Sequence, residues 1–236
     1  KWRLCPDFEA IFPFAQRTPS DDNSGMKSFR MIALLLLAVS VPAPAVRALE
    51  KQPASVYRAR RAALGAKLQG GVAVLFAAEE PLLDLTPYRQ DEDFYYLTGW
   101  TEPGAALLVV GEPQAGGAES AYKQILFLPT RNLRMEKYTG PKLDASSPGV
   151  AQAMGVDAVE PMTELPAALN ALIAADRGLV NDLWTQPTAP QAKALVEFMA
   201  ATLGTTPGAT HDVTELTAEL RLVKDAGEIE LLEKAS

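Results

Sequence analysis

Apolar positions change their spacing several times along the chain, and each change marks an element. In 55–69, SVYRARRAALGAKLQ, they recur at helical intervals. Val56, Leu64 and Leu68 share a face, with Arg58, Arg60, Arg61 and Lys67 around the rest. Gly70 and Gly71 stop that helix. The pattern then becomes unbroken. GVAVLFA at 71–77, AALLVVG at 105–111 and KQILFLP at 123–129 are short apolar runs without alternation, the pattern of buried strands. The polar, glycine-containing stretch 112–121 predicts a hairpin between the second and third runs. Helical spacing returns in 162–175, through Leu165, Leu169, Leu172 and Ile173. GLVNDLW at 178–184 predicts a fourth strand. A helix over 189–204 buries Leu195, Phe198, Met199 and Leu203 and ends at Gly204.

The last segment carries the sharpest local signal. Asp225-Ala-Gly-Glu228 reads as a capping box, and Glu230 and Lys234 form an i,i+4 pair in the favourable order. Ile229, Leu232 and Ser236 lie on one side, with Leu231 and Ala235 adjacent. No stop signal follows, and about three helical turns are marginal without a packing partner. The polypeptide is therefore expected to continue past Ser236. Alternating strands and helices predict an α/β fold with a mixed β-sheet flanked by helices.

Composition narrows the chemistry. Hydrophobic residues make up 48% and charged residues 22% of 236, with a net charge of −7. There is no basic footprint for nucleic acid. One cysteine, Cys5, and one histidine, His211, exclude an internal disulfide and a Cys/His zinc pattern. A Ser-His-Asp triad would have to use His211, whose polar setting reads as a surface or capping position. No internal repeat or glycine-rich phosphate loop is present.

Residues 26–48, MKSFRMIALLLLAVSVPAPAVRA, have the layout of a secretory signal peptide. Lys27 and Arg30 precede an apolar stretch from Met31 to Val41. Val46-Arg47-Ala48 then ends it with small residues at the two positions a signal peptidase reads. The apolar stretch is too short to span a bilayer comfortably. A secreted or periplasmic protein is expected, without a membrane association after cleavage. Residues 1–25 precede this signal and read as a translation artefact of an over-long reading frame.

The segment 87–104, PYRQDEDFYYLTGWTEPG, resembles the N-terminal domain of aminopeptidase P, the Xaa-Pro aminopeptidases of the creatinase/prolidase superfamily. The likeness lies in Tyr88-Arg89-Gln90, in Asp93-Phe94-Tyr95-Tyr96-Leu97-Thr98-Gly99 and in Glu102-Pro103 before an apolar strand. Leu97 stands where an aromatic residue is also common. RRAALGAKL at 60–68 resembles the family's opening helix. FLPTRNLRMEKYTGPKL at 127–143 resembles a segment with Arg131, Glu136, Tyr138 and Gly140 in family positions. ELRLVKDAGEIELLEKA at 219–235 resembles the boundary motif, through Arg221, Lys224, Glu228 and Ile229.

The resemblance implies a creatinase N-terminal-domain-like, ribonuclease-H-like fold over 49–219, with 220–236 opening the first helix of a catalytic domain. It implies that this absent C-terminal domain holds manganese and cleaves peptides with proline at the second position. This chain carries none of those metal ligands. The resemblance further implies a homo-oligomer in which this domain lends residues to a neighbouring subunit's active site. Tyr138, where tryptophan is usual, would be a wall for the substrate, and Asp84 would face its amino terminus. The other readings are a stand-alone secreted binding or structural domain, and the N-terminal half of a prolidase-type dipeptidase.

Other residues have plainer expectations. Asp91-Glu92-Asp93 lacks a further ligand at metal-binding spacing, so a solvated loop with Asp93 capping a turn is expected. Tyr88, Phe94, Tyr95, Tyr96 and Trp100 are expected mostly to fill the core, with one or two hydroxyls bonded. Arg89 is expected to be buried or at an interface, paired with Asp93 or Glu102.

Overall fold

A computed structural model describes residues 51–81, 87–111, 124–175, 182–204 and 209–235. The first helix, α1, runs from Ala54 to Lys67. The predicted strands follow as β1 (Val72–Phe76), β2 (Ala106–Val110) and β3 (Gln124–Leu128), each buried along its whole length. Between β1 and β2 lies α2 (Glu92–Thr98), which begins within the Asp91-Glu92-Asp93 run expected to be a solvated loop. After β3 come α3 (Glu136–Thr139), α4 (Val150–Met154) and β4 (Ala158–Pro161). A 3-10 turn, Met162–Glu164, opens α5 (Leu165–Ala175). Then follow β5 (Asp182–Thr185), α6 (Ala192–Leu203), β6 (Ala209–Asp212), α7 (Val213–Leu222) and α8 (Ala226–Ala235).

The described strands form one mixed sheet in the order β4-β3-β2-β1-β5-β6. The β1–β2–β3 part is antiparallel, as the hairpin signal requires, with Val74 opposite Leu108 and Leu107 opposite Leu126. The β3–β4, β1–β5 and β5–β6 pairs are parallel. Helices cover both faces, which is why the central strands show no polar alternation. On one face Ala73, Leu75, Leu107, Val109 and Leu126 pack against Leu64 of α1 and Leu68 at its C-cap, Phe94 and Leu97 of α2 and Val213 of α7. On the other, Val72, Val74, Leu108 and Phe127 meet Leu165 and Leu169 of α5 and Leu195 and Met199 of α6. The expected α/β class, with its mixed sheet and flanking helices, is therefore the observed one.

Several expectations change. The buried stripe of α1 is Tyr57, Arg61 and Leu64, continuing to Leu68, so Arg61 faces the interior and Val56 is only half-buried. Of the stretch read as the fourth strand, 182–184 fall in β5; residues 178–181 lie outside the described residues. His211 is a residue of the edge strand β6, neither capping nor fully exposed. Its ring stacks on Trp184 at 4.4 Å between centroids, and its Nε2 lies 3.3 Å from Asp182. The true cap of α7 is Asp212, which accepts from the Thr214 amide. Helix α7 ends at Leu222, and residues 223–225 separate it from α8.

Candidate functional site

Residues 87–104 fold into a compact staple at the end of β1. Asp91, not Asp93, caps α2: its carboxylate accepts from the Phe94 amide at 2.8 Å and from the Gln186 side chain at 2.7 Å. Burial is the main influence on that carboxyl and pushes it up, even against those hydrogen bonds. Gln90 ties three backbones together. Its Oε1 accepts from the Ala78 and Asp91 amides, and its Nε2 donates to the Glu102 carbonyl. The Tyr88 hydroxyl donates to the Ala78 carbonyl at 3.2 Å, and its phenol is pushed up to about 12, first by burial and then by Asp91 and Glu102. Gly99 ends α2 with φ 64, and a Cβ there would lie 2.5 Å from the Tyr57 ring.

The charged residues of this stretch pair differently from the expectation. Arg89 is exposed and bonds Glu92 one turn away, at 2.7 Å, not Asp93 or Glu102. Asp93 pairs with Arg221 of α7 at 3.1 Å, and Glu102 pairs with Lys142 at 3.0 Å. Fewer of the aromatic residues fill the core than expected. Phe94 and Trp100 are buried, while Tyr88, Tyr95 and Tyr96 are half-buried. The Tyr96 hydroxyl donates to the Leu220 carbonyl.

The second region is a rim beyond the end of β3. Arg131 grips Glu136 with two parallel hydrogen bonds of 2.7 and 2.6 Å. Those bonds hold the Glu136 carboxyl below its ordinary value. Asp144 closes the return loop, accepting from Ser146 and Ser147. This frame presents large apolar side chains to solvent: Leu133, Met135, Leu143 and Tyr138, the last 83% exposed. A cavity of about 400 Å³ lies beside them, bounded by Glu79, Glu102, Arg131 and Glu136. Asp84 lies outside the described residues.

Both regions can be compared with known proteins. The family described as aminopeptidase P, N-terminal domain, matches residues 57–180, which hold both. The chain belongs to that family. An Xaa-Pro aminopeptidase of Haemophilus influenzae is 30% identical over 193 residues, covering 78% of this chain and 40% of that protein. The Escherichia coli Xaa-Pro aminopeptidase is 28% identical over 190 residues, covering 76% and 41%. Among solved structures, Escherichia coli aminopeptidase P in its low-pH form superposes with a TM-score of 0.65 at 26% identity, covering 79% of this chain and 42% of that one. Proline aminopeptidase P II from Yersinia pestis gives 0.61 at 28% identity, covering 78% and 42%. The chain spans about 40% of the length of these curated relatives.

In this aminopeptidase P N-terminal domain the boundary motif closes on α1 and α2. Arg221 reaches Glu92 as well as Asp93, and Lys224 donates to the Arg221 carbonyl. Glu228 and Asp225 form the expected capping box: the Glu228 amide donates to Asp225 at 2.8 Å, and the Asp225 amide donates to Glu228 at 3.0 Å. A cavity of about 800 Å³ lies between these elements, lined by Tyr57, Tyr88, Tyr95 and Tyr96 together with Arg60 and Arg221.

The described residues do not fit a metal ion. No group of three or more His, Cys, Asp or Glu among them is placed to hold one. The nearest acidic run is already engaged, Asp91 as a cap and Glu92 and Asp93 by arginines.

Two arginines matter more than the sequence suggested. Arg61 is fully buried and donates to the Gln124 side chain and to the Leu97, Met154 and Gly155 carbonyls. Burial pulls its pKa down to about 10, so it is still a cation at neutral pH. Arg60 bonds the Tyr96 carbonyl and Asp225. The spacing from Tyr57 to Arg61 to Leu64 was the available signal for the first. Nothing local announces the second.

Proposed function

We propose that this chain is the assembly and substrate-gating part of a manganese-dependent Xaa-Pro metalloaminopeptidase, which removes the residue preceding a proline at the second position. The observation that carries the reading is the rim over 131–143. A surface loop built only for solubility would not hold Leu133, Met135, Tyr138 and Leu143 outward on an Arg131–Glu136 clamp. Within a homo-oligomer the rim would face a neighbouring subunit's catalytic pocket, with Tyr138 as a wall beside the substrate. The names of the relatives supply the reaction class. Manganese and the hydrolytic step belong to residues beyond those described, in a C-terminal catalytic domain. Export through residues 26–48 is part of the same proposal.

The test has two arms. The purified chain, with manganese added, should release no N-terminal residue from an Xaa-Pro peptide; metal-dependent release would overturn the reading. In the full-length enzyme, Tyr138→Ala should raise KM for an Xaa-Pro peptide while leaving the melting temperature unchanged. An unaltered KM would remove Tyr138 from the substrate's surroundings and favour a purely structural role for the domain.

A further inference from the structure

We propose that α8 is an electrostatically latched helix. Arg60 holds both acids of its capping box, and this grip, more than apolar burial, sets the angle at which α8 leaves the domain. The inference concerns this chain alone and is independent of the peptidase reading.

The means of attachment changes between α7 and α8. Helix α7 buries Val213 and Thr217 and packs Leu216 and Leu220 on the core. Helix α8 buries no residue. Gly227, Glu228 and Leu231 are half-buried, whereas Ile229 is 47% and Leu232 56% exposed. A helix attached this way gains little from removing apolar surface from water.

What it has instead is Arg60. That side chain is only 10% exposed, and its Nη2 lies 2.7 Å from Asp225 and 3.5 Å from Glu228. Its Nη1 donates to the Tyr96 carbonyl at 3.1 Å. The guanidinium sits 4.2 Å over the Tyr96 ring and 5.6 Å from the Tyr57 ring. Its Nε is buried with no hydrogen-bond partner among the described residues, so the stack and the two Nη groups hold it. A planar fork that stacks and pairs at once is an arginine property that lysine lacks.

The polarity of the arrangement also requires the acids. A cation beside a helix N-terminus is unfavourable, because the first-turn amides carry partial positive charge. Asp225 and Glu228 reverse that sign while each accepts an amide of the same turn. On the other side of the break, Arg221 with Glu92 and Asp93, and the Tyr96 hydroxyl on Leu220, fix the end of α7. Residues 223–225 are thus tied at both ends by charges and hydrogen bonds meeting around Tyr96.

Hydrogen exchange read by mass spectrometry on the whole chain tests the latch. Raising salt from about 0.05 M to about 1 M should speed exchange across 229–235 about tenfold while β1 and β2 stay protected. Asp225→Asn keeps a cap acceptor but removes the charge. Both it and Arg60→Gln should show faster exchange already at low salt, with the salt response reduced, since Glu228 and the Arg221 pairs keep their charges. Arg60→Lys should fall between. If Arg60→Gln also loses β1 protection, Asp225→Asn decides the matter. Salt-independent protection of 229–235 in the unsubstituted chain, or unchanged protection in Asp225→Asn, would overturn the latch and assign α8 to apolar docking through Leu231.

Discussion

Arg60 and Arg61 are neighbours on α1, yet they hold together two regions built on different physics. Arg61 points inward, to where α1, α2 and α4 meet, and spends its donors on one amide side chain and backbone carbonyls. Arg60 points to the margin, where α8 begins, and meets carboxylates and tyrosine faces. The inner arginine cross-links backbone whose polar groups need a donor at any pH or salt concentration. The outer one joins groups that water, salt and acid can each weaken. Adjacent identical residues therefore give one region that is permanent and another that is conditional.

The strongest way to break this comparison is Arg61→Met. It leaves Gln124 Oε1 and the Leu97 carbonyl short of a donor in the interior, while the Gly155 carbonyl keeps its bond from Arg58. A loss of about 3–5 kcal/mol is expected in urea unfolding. A loss near 1 kcal/mol would mean that the inner region relaxes as the margin does. Gly99→Ala should come next, at about 2 kcal/mol, because φ is 64 and the new Cβ would strike Tyr57. An unchanged denaturation midpoint would show that Tyr57 is free to yield, which would make its region part of the margin.

Acid should separate the two regions with a smaller effect. Burial works to raise Asp225, but the Arg60 hydrogen bond and the Glu228 amide hold it below its ordinary value. Glu92 is held low by Arg221 and then by Arg89. Carboxyls depressed in the folded state contribute fully above their ordinary range and lose that contribution as pH falls through the folded values. Asp91, raised by burial, acts in the opposite direction. Protection of α8 should therefore fall at a higher pH than protection of β1, as read by exchange during acid titration; simultaneous loss would erase the distinction. The smallest effect is expected from Tyr138→Ala, which should leave the thermal midpoint unaltered because the side chain stands in water.

Contacts within a few residues of sequence are legible in it, and those across the fold are not. The Asp225–Glu228 box and the Glu230–Lys234 pair, at 2.8 Å, depend only on helical spacing. The three apolar runs 71–77, 105–111 and 123–129 announce β1, β2 and β3 because both faces of those strands are covered. The Arg61 face misleads because charge ordinarily signals solvent, although its spacing from Tyr57 and Leu64 places it on the buried stripe. Helix α7 carries a readable start, Asp212 with Glu215 three residues on, which the polar setting of His211 obscures. Strand β4 is four residues ending in Pro161 at a sheet edge, too short for any period to register. Arg60 and Asp225 stand 165 residues apart, and no local pattern connects them.

The place of β1 in the sheet has a consequence for synthesis. Its antiparallel partner β2 follows soon after, but its other edge is covered by β5, whose Thr185 bonds the Val74 carbonyl across 111 residues. At roughly 5–20 residues per second, translation leaves that edge bare for on the order of ten seconds. VAVLF, five apolar residues without charge or proline, is then an open template for strands of other nascent chains. Ribosome-released chains ending before Asp182 are expected to aggregate, and their recovery as soluble monomers would contradict this. Until β5 arrives, the centre of the finished sheet is an unguarded border, so this domain has reason to meet a holding chaperone during its own translation.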